Sequence, residues 1–286
     1  MASLRQIRRR MKSIENIHEI TKAMEMIAAF RFKRSENRFT KSKPYLLEME
    51  RLVAKLSGAA ADIQDPLFEK REIRKKALVV MTGDKGLCGA YNANLIRAAN
   101  QWLNENAGVE KFLVPVGKVG TESFRKKQIR LLSFYPEKSA ADSALAKKIT
   151  DNLKQSFLEK KVDSVEILYT TFRSGAAGQN KVIPFLGLAY LLNEGKSQTA
   201  QTAVIYEPDF KAVFLSLLSR TLEGKILLCL LESLTSEYSA RMIAMKQATE
   251  NGEEVLDGLK LLRNKTRQAT ITRELSEIVS GASVLI

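Results

Sequence analysis

After Pro208 the chain contains no further proline, and the pattern that fills this stretch limits the fold more than any other feature. Apolar or small side chains recur there at steps of three and four: Leu227, Leu231, Leu234, Tyr238, Met242, Met245, Ala248, Gly252, Val255, Leu259, Leu262, Thr266 and Ala269. This is the seam of a coiled coil with polar interruptions, and it predicts one helix over 209–284. At about 1.5 Å per residue such a helix would reach roughly 110 Å. Alone it would fray or aggregate through its stripe, so it requires a partner.

The same spacing returns at the other end of the chain, in Leu4, Ile7, Met11, Ile14, Ile17 or His18, Ile20 or Thr21, Met24 and Ile27. A helix is predicted from Ser3, a suitable N-cap, to Ser57, with a bend at Pro44 and a stop at Gly58. Because both ends must meet, the simplest architecture is a long antiparallel two-helix shaft with a compact domain inserted between its arms. Met24 is placed in the same half of that shaft as Thr266–Glu277. The competing arrangement wraps both segments onto the middle domain as core helices, but such helices usually run to only about 20 residues.

The middle of the chain reads differently. Following a polar link over 58–76, ALVVMT at 77–82 has the length and β-branched content of a buried strand. Further strands are predicted at 112–116, 129–134, 164–171, 181–185 and 202–206, with helices at 90–104, 121–127 and 140–160. Alternation of this kind specifies a three-layer α/β/α domain on a mainly parallel sheet. The domain plan is therefore a shaft helix over 1–57, a linker over 58–76, an α/β foot over 77–208 and a second shaft helix over 209–286.

A formal charge of +14 is concentrated at the N-terminus, where residues 1–57 carry 14 Lys and Arg against 6 Asp and Glu, whereas residues 209–286 carry 10 of each. An acidic partner is implied: nucleic acid, anionic lipid or an acidic protein surface. Residues 5–43 could form a basic nucleic-acid-binding arm, and FRFKRSENRF at 30–39 mixes aromatics with cations as single-strand binders do. A solvated basic helix with a few packing aromatics has the same composition. Two cysteines, Cys88 and Cys229, and a single histidine, His18, support neither a disulfide framework nor a zinc site. No apolar run approaches the roughly 18 residues of a membrane span, and no signal peptide is recognised.

Gly83, Gly86 and Gly89 in GDKGLCGAYN follow the first strand and precede a helix, where doubly wound folds hold phosphates. The spacing is neither that of the dinucleotide fingerprint nor that of the phosphate loop, so tight turning and close packing are the expected roles. No nucleophile–base or carboxylate constellation can be assembled from one histidine and scattered acids. Neither a catalytic residue nor a cofactor is expected.

Taken together, ITKAMEMIAA at 20–29, GDKGLCGAYN at 83–92, YEP at 206–208, ARMIAMKQA at 240–248 and RQATITRELSEIVSGA at 267–282 resemble the γ subunit, or central stalk, of F-type ATP synthases. The resemblance implies a non-catalytic rotor whose shaft enters a hexamer of α and β subunits. It further implies that the foot, built on a mixed five-stranded sheet, meets the ε subunit and the membrane-embedded c ring. The ring's ion-driven rotation would turn the shaft and drive the β subunits in sequence. By motif position, Lys22, Met24 and Glu25 would face the β levers, Arg267 and Gln268 would form a polar catch on β, and Tyr206 and Glu207 would lie near the c ring. The tail Val284, Leu285 and Ile286 would sit in the hexamer's apolar collar. Arg263 and Thr266 depart from the aromatic and alanine common in the family, RSGAAGQ at 173–179 is richer in glycine, and the paired-cysteine insertion of chloroplast forms is missing. The implied location is the cytoplasmic face of a bacterial plasma membrane, with the membrane reached only through the c ring.

Overall fold

A computed structural model describes residues 3–57, 65–69, 71–106, 108–138, 141–173, 178–187 and 206–283. In chain order these form α1 (Leu4–Ser57), a 3₁₀ turn (Pro66–Phe68), β1 (Lys75–Met81), α2 (Tyr91–Glu105), β2 (Glu110–Val116), α3 (Lys118–Lys126), α4 (Ser143–Leu158), β3 (Ser164–Thr170), β4 (Asn180–Leu186) and α5 (Phe210–Ser283). They divide into two units, one of Met1–Ala29 with Arg241–Ile286 and one of Phe30–Ala240.

In the larger unit the sheet order is β2-β1-β3-β4. The central strand β1 runs parallel to β2 and β3, and β4 closes the edge antiparallel to β3. Being covered on both faces, β1 is an unbroken apolar run from Ala77 to Met81. Ala77, Val79 and Met81 join Val114, Val116, Val165 and Ile167 on one face, against Ile149, Leu153 and Phe157 of α4 and Phe214, Leu218, Ile226 and Leu230 of α5. Leu78 and Val80 join Leu113 and Leu168 on the other, against Tyr91, Leu95, Ala99 and Trp102 of α2 and Phe124 of α3. The result is the expected α/β/α layering, and full burial of each large aliphatic side chain contributes about 1.5–3 kcal/mol.

Where a fifth strand was expected at 129–134, only two isolated parallel bridges form beside β2, Leu113 with Leu131 and Val116 with Tyr135. The cause is in β2 itself. The Leu113 N–H donates to the Arg130 carbonyl and its own carbonyl accepts from Leu132, so the next residue facing that edge is Pro115, which has no N–H to continue the ladder. Pro115 can only accept, from the Tyr135 N–H at 2.9 Å. The strand expected at 202–206 lies outside the described residues except for Tyr206, which is not in a strand, and RSGAAGQ lies largely outside them as well. The helix expected at 121–127 starts earlier, at Lys118, because Gly117 turns into it at φ +102, and a side chain there would meet the Thr82 carbonyl oxygen at 2.3 Å. α1 continues through Pro44 without interruption.

The smaller unit is an antiparallel helix pair. The Thr249 hydroxyl donates to that of Thr21 at 3.0 Å, His18 Nε2 meets Glu253 Oε1 at 2.9 Å, and Ile7 and Met11 cluster with Leu259. Each step forward along α1 is thus a step back along α5. At the two places left open by the spacing, the seam takes His18 and Thr21, and further along it takes Ala28; Ile17, Ile20 and Ile27 are 48%, 59% and 54% exposed. On α5 the seam runs through Met245, Thr249, Gly252, Leu256, Leu259, Arg263 and Thr266, while Val255 and Leu262 face outward. The expected Met245, Gly252, Leu259 and Thr266 hold, and Ala248 and the other two are displaced by one residue. Steps of four and three from Met245 form an unbroken heptad pattern only if Thr249 and Arg263 count as seam residues, which an apolar-only reading passes over.

Candidate functional site

On the helix pair, Lys22 is exposed, whereas Met24 and Glu25 are half-buried beside the seam. Followed from Thr21 and Thr249, the pairing sets Met24 level with Met245 and Lys246, and Leu4 level with Thr266. Met24 shares a unit with Thr266–Glu277 but is separated from the level of Thr266 by about 30 Å of helix. Beyond Thr266 α1 has no residues left to pair, and every side chain from Arg267 to Ser280 is exposed. Arg267 and Gln268 begin this stretch, followed by Ile271, Leu275, Ile278 and Val279 as solvent-facing apolar residues. The side chains of the tail Val284, Leu285 and Ile286 are outside the described residues.

Ile17, Ile20 and Ile27 of α1 are in contact with solvent, and exposed charged side chains of both signs, among them Arg8, Arg9, Lys12, Glu15, Glu19 and Lys22, are distributed around the rest of the helix.

In the larger unit, Tyr206 packs edge-on against Phe210 at 5.0 Å, and Phe210 stacks on Phe214 at 5.9 Å, which stacks on Phe68 at 5.8 Å. This aromatic row ties Tyr206 to the core, and Glu207 beside it is exposed. Asp209 Oδ1 accepts from the Ala212 N–H at 2.9 Å and caps the start of α5. Of the aromatics in FRFKRSENRF, Phe32 and Phe39 pack against Phe172, at 5.5 and 6.4 Å, and Phe30 alone is freely exposed. The segment therefore has packing aromatics, without a row of rings on which bases could stack.

The glycine loop makes its polar contacts within the protein. The Gly83 N–H donates to Asn92 Oδ1 at 2.8 Å, and the Asp84 carboxylate accepts from the N–H groups of Lys118 and Lys138. Just behind it Tyr91 Oη lies 2.7 Å from Ser233 Oγ, and Lys138 Nζ reaches Ser233 Oγ at 3.2 Å and Glu237 Oε2 at 3.1 Å. The Lys138 and Glu237 side chains are 0% and 5% exposed. Burial penalises the Lys138 ammonium, but Tyr91 and Glu237 outweigh it and hold its pKa above the ordinary value. Burial also pushes the Tyr91 phenol up. A Cβ on Gly83 would sit 2.9 Å from the Glu237 carboxyl, so the first glycine makes room for this acid on α5.

None of Lys138, Ser233 and Glu237 was singled out from the sequence. The available signal was on α5, where the core stripe Ile226, Leu230, Ser233, Glu237 places a carboxylate at a position otherwise reserved for apolar residues. A buried acid needs a cation, which no local pattern identifies.

A family model described as ATP synthase matches residues 3–285. The chain is 36% identical over 286 residues to the ATP synthase gamma chain of Protochlamydia amoebophila and 34% identical over 286 residues to that of Desulfitobacterium hafniense, with 100% of each chain covered. Among solved structures it resembles a chain of the Tetrahymena thermophila mitochondrial ATP synthase central stalk and c ring, with a TM-score of 0.62 and 25% identity over 80% of this chain and 99% of that one. It shares its fold with a chain of the Euglena gracilis mitochondrial ATP synthase, with a TM-score of 0.70 and 20% identity over 99% of this chain and 94% of that one.

Proposed function

The chain belongs to the ATP synthase gamma chain family, and from that premise we propose that it is the rotor shaft of an F-type ATP synthase, coupling ion-driven rotation of a c ring to successive conformational changes at β-subunit catalytic sites. The observation that carries the reading is the full-length match, at 36% identity, to a γ chain. The paired helices supply its mechanism. A two-helix shaft is not rotationally symmetric, so it presents a different surface to each β subunit as it turns, and each surface favours a different β conformation. Catalysis stays in β, and this chain contributes no reacting group.

In this reading Lys22, Met24 and Glu25 face the hexamer, Arg267 and Gln268 form a releasable polar contact with β, and Tyr206 and Glu207 lie toward the c ring, with ε as a further partner. No described helix is long and apolar enough to cross a membrane. Attachment through the c ring, on the cytoplasmic face of a bacterial plasma membrane, is part of the proposal.

The test is reconstitution of this chain with α and β subunits, followed by ATP hydrolysis and single-molecule rotation measurements. Assembly and rotation are expected; a chain that neither joins the hexamer nor turns within it is not a rotor. Calorimetry on the isolated chain should show no ATP binding.

A further inference from the structure

We propose that the buried group formed by Lys138, Glu237, Tyr91 and Ser233 is a torsional lock that sets the angle of α5 against the sheet, so that turning force passes into the helix without slip. The inference rests on the rotor reading and assigns to these side chains a positioning role within it.

Most of the contact between α5 and the sheet is apolar, through Phe214, Leu218, Ile226 and Leu230. Apolar burial resists separation but is non-directional, so a helix rolling on such a surface exchanges one set of contacts for another of similar strength. Hydrogen bonds and ion pairs in a dry interior depend steeply on direction. On α5 those that reach the strand ends are gathered at residues 232–237, whereas the part-buried Lys154–Ser219 contact, at 3.0 Å, joins α5 to α4 rather than to the sheet.

Ser233 Oγ donates to the Met81 carbonyl at the end of β1 at 3.1 Å, and the Tyr91 hydroxyl lies within 3.0 Å of the Ser233 carbonyl. Lys138, from the segment leading to α4, reaches both Ser233 and Glu237. On the neighbouring strand, Ser236 Oγ donates to the Thr170 carbonyl at 3.2 Å, and the Phe172 N–H donates to Glu232 Oε1 at 3.0 Å. The ends of β1 and β3 are thus both pinned to residues 232–237. Rolling α5 by one residue would part a buried cation from its carboxylate, a far larger penalty than any apolar rearrangement imposes. Gly83 adds a steric key, because the Glu237 carboxyl occupies the space a side chain there would fill.

The experiment uses the complete ATP synthase, with its c ring, in sealed vesicles, and measures ATP hydrolysed and ions pumped in the same preparation. Lys138→Met is expected to leave hydrolysis per assembled complex near wild type and to lower ions pumped per ATP several-fold, with Lys138→Arg restoring most of the ratio. If the four residues only stabilise the fold, the variant will give less complex, but each complex will pump at the wild-type ratio; that result overturns the proposal. Should Lys138→Met fail to assemble, Ser233→Ala, which removes one hydroxyl from the centre of the group, gives the same comparison and must lower the ratio. A wild-type chain that assembles yet supports no coupled pumping would refute the rotor reading and the lock with it.

Discussion

Ser35 of α1 and Thr235 of α5 share a buried hydrogen bond of 2.8 Å whose direction follows from a second bond: the Thr235 hydroxyl already donates to the Leu231 carbonyl at 2.7 Å, so Ser35 is the donor. Removing the acceptor with Thr235→Val leaves the Ser35 hydroxyl buried without a partner, at a cost of about 1–3 kcal/mol. Ser35→Ala removes only a donor and should cost about 0.5–1.5 kcal/mol. The double variant should be more stable than the sum of the two predicts, and urea unfolding of all four proteins gives the coupling. Strict additivity would show that the bond does not hold these helices together.

Glu232 supplies a pH dependence. Burial raises its carboxyl pKa above the ordinary range, partly opposed by the Phe172 N–H and by Lys43, Tyr169 and Lys181 nearby. A carboxyl that binds its proton more tightly in the folded chain favours folding at low pH, and that contribution is lost as pH rises through the raised value. Glu232→Gln keeps an oxygen for Phe172 and carries no charge. Its urea midpoint should match wild type near about pH 4 and exceed it increasingly toward about pH 7. A constant difference across that range would mean that Glu232 has the same proton affinity folded and unfolded.

Two glycines of α5 should respond differently to alanine. A Cβ on Gly252 would lie 3.6 Å from the His18 Cβ, an ordinary contact, so Gly252→Ala should stabilise the chain by about 0.5–1 kcal/mol through helix propensity. A Cβ on Gly224 would press on the Leu46 Cδ1 at 2.8 Å, and overpacking of about 1–3 kcal/mol should cancel or exceed the same gain. Thermal unfolding of the two variants checks both signs.

Arg267 and Gln268 are exposed on the unpaired end of α5, where alanine leaves the helix itself undisturbed. If Arg267 engages a β carboxylate through both arms of its guanidinium, the contact is worth on the order of 1.5–3 kcal/mol. Arg267→Ala with Gln268→Ala should then assemble normally and lower steady-state ATP turnover several-fold. A surface ion pair of under about 1 kcal/mol would leave turnover almost unchanged, and that outcome rejects the catch.

What could be read from the residues alone follows the range over which their information acts. Periodicity is local and repeated, so the spans of α1 and α5 lie within a residue of those read from the spacing, and β1, Lys75–Met81, overlaps the strand expected at 77–82 but starts two residues earlier and ends one earlier. The choice between Ile17 and His18 was not local, since it depends on which face of α5 each meets, and Gly252 opposite His18 settled it. Lys138 sits in a polar segment that resembles any solvated loop, and its partners Tyr91 and Ser233 are far from it in sequence. Of the glycine loop, Gly83 is a place of close approach, whereas a side chain at Gly86 would meet nothing within 4 Å, and the carboxylate that Gly83 approaches, Glu237, lies on α5 far along the chain.

The heptad spacing from Met245 to Thr266 has a mechanical corollary. A strict seven-residue repeat drifts against the 3.6-residue turn of a straight helix, and the pair can keep its seam closed only by winding left-handed around a common axis. In a wound pair, twist and length are coupled: torque in the sense of the winding tightens and shortens it, whereas torque against the winding opens and lengthens it. The two directions of rotation therefore load the same helices in ways that are not mirror images, and synthesis and hydrolysis would stretch this shaft with opposite sign.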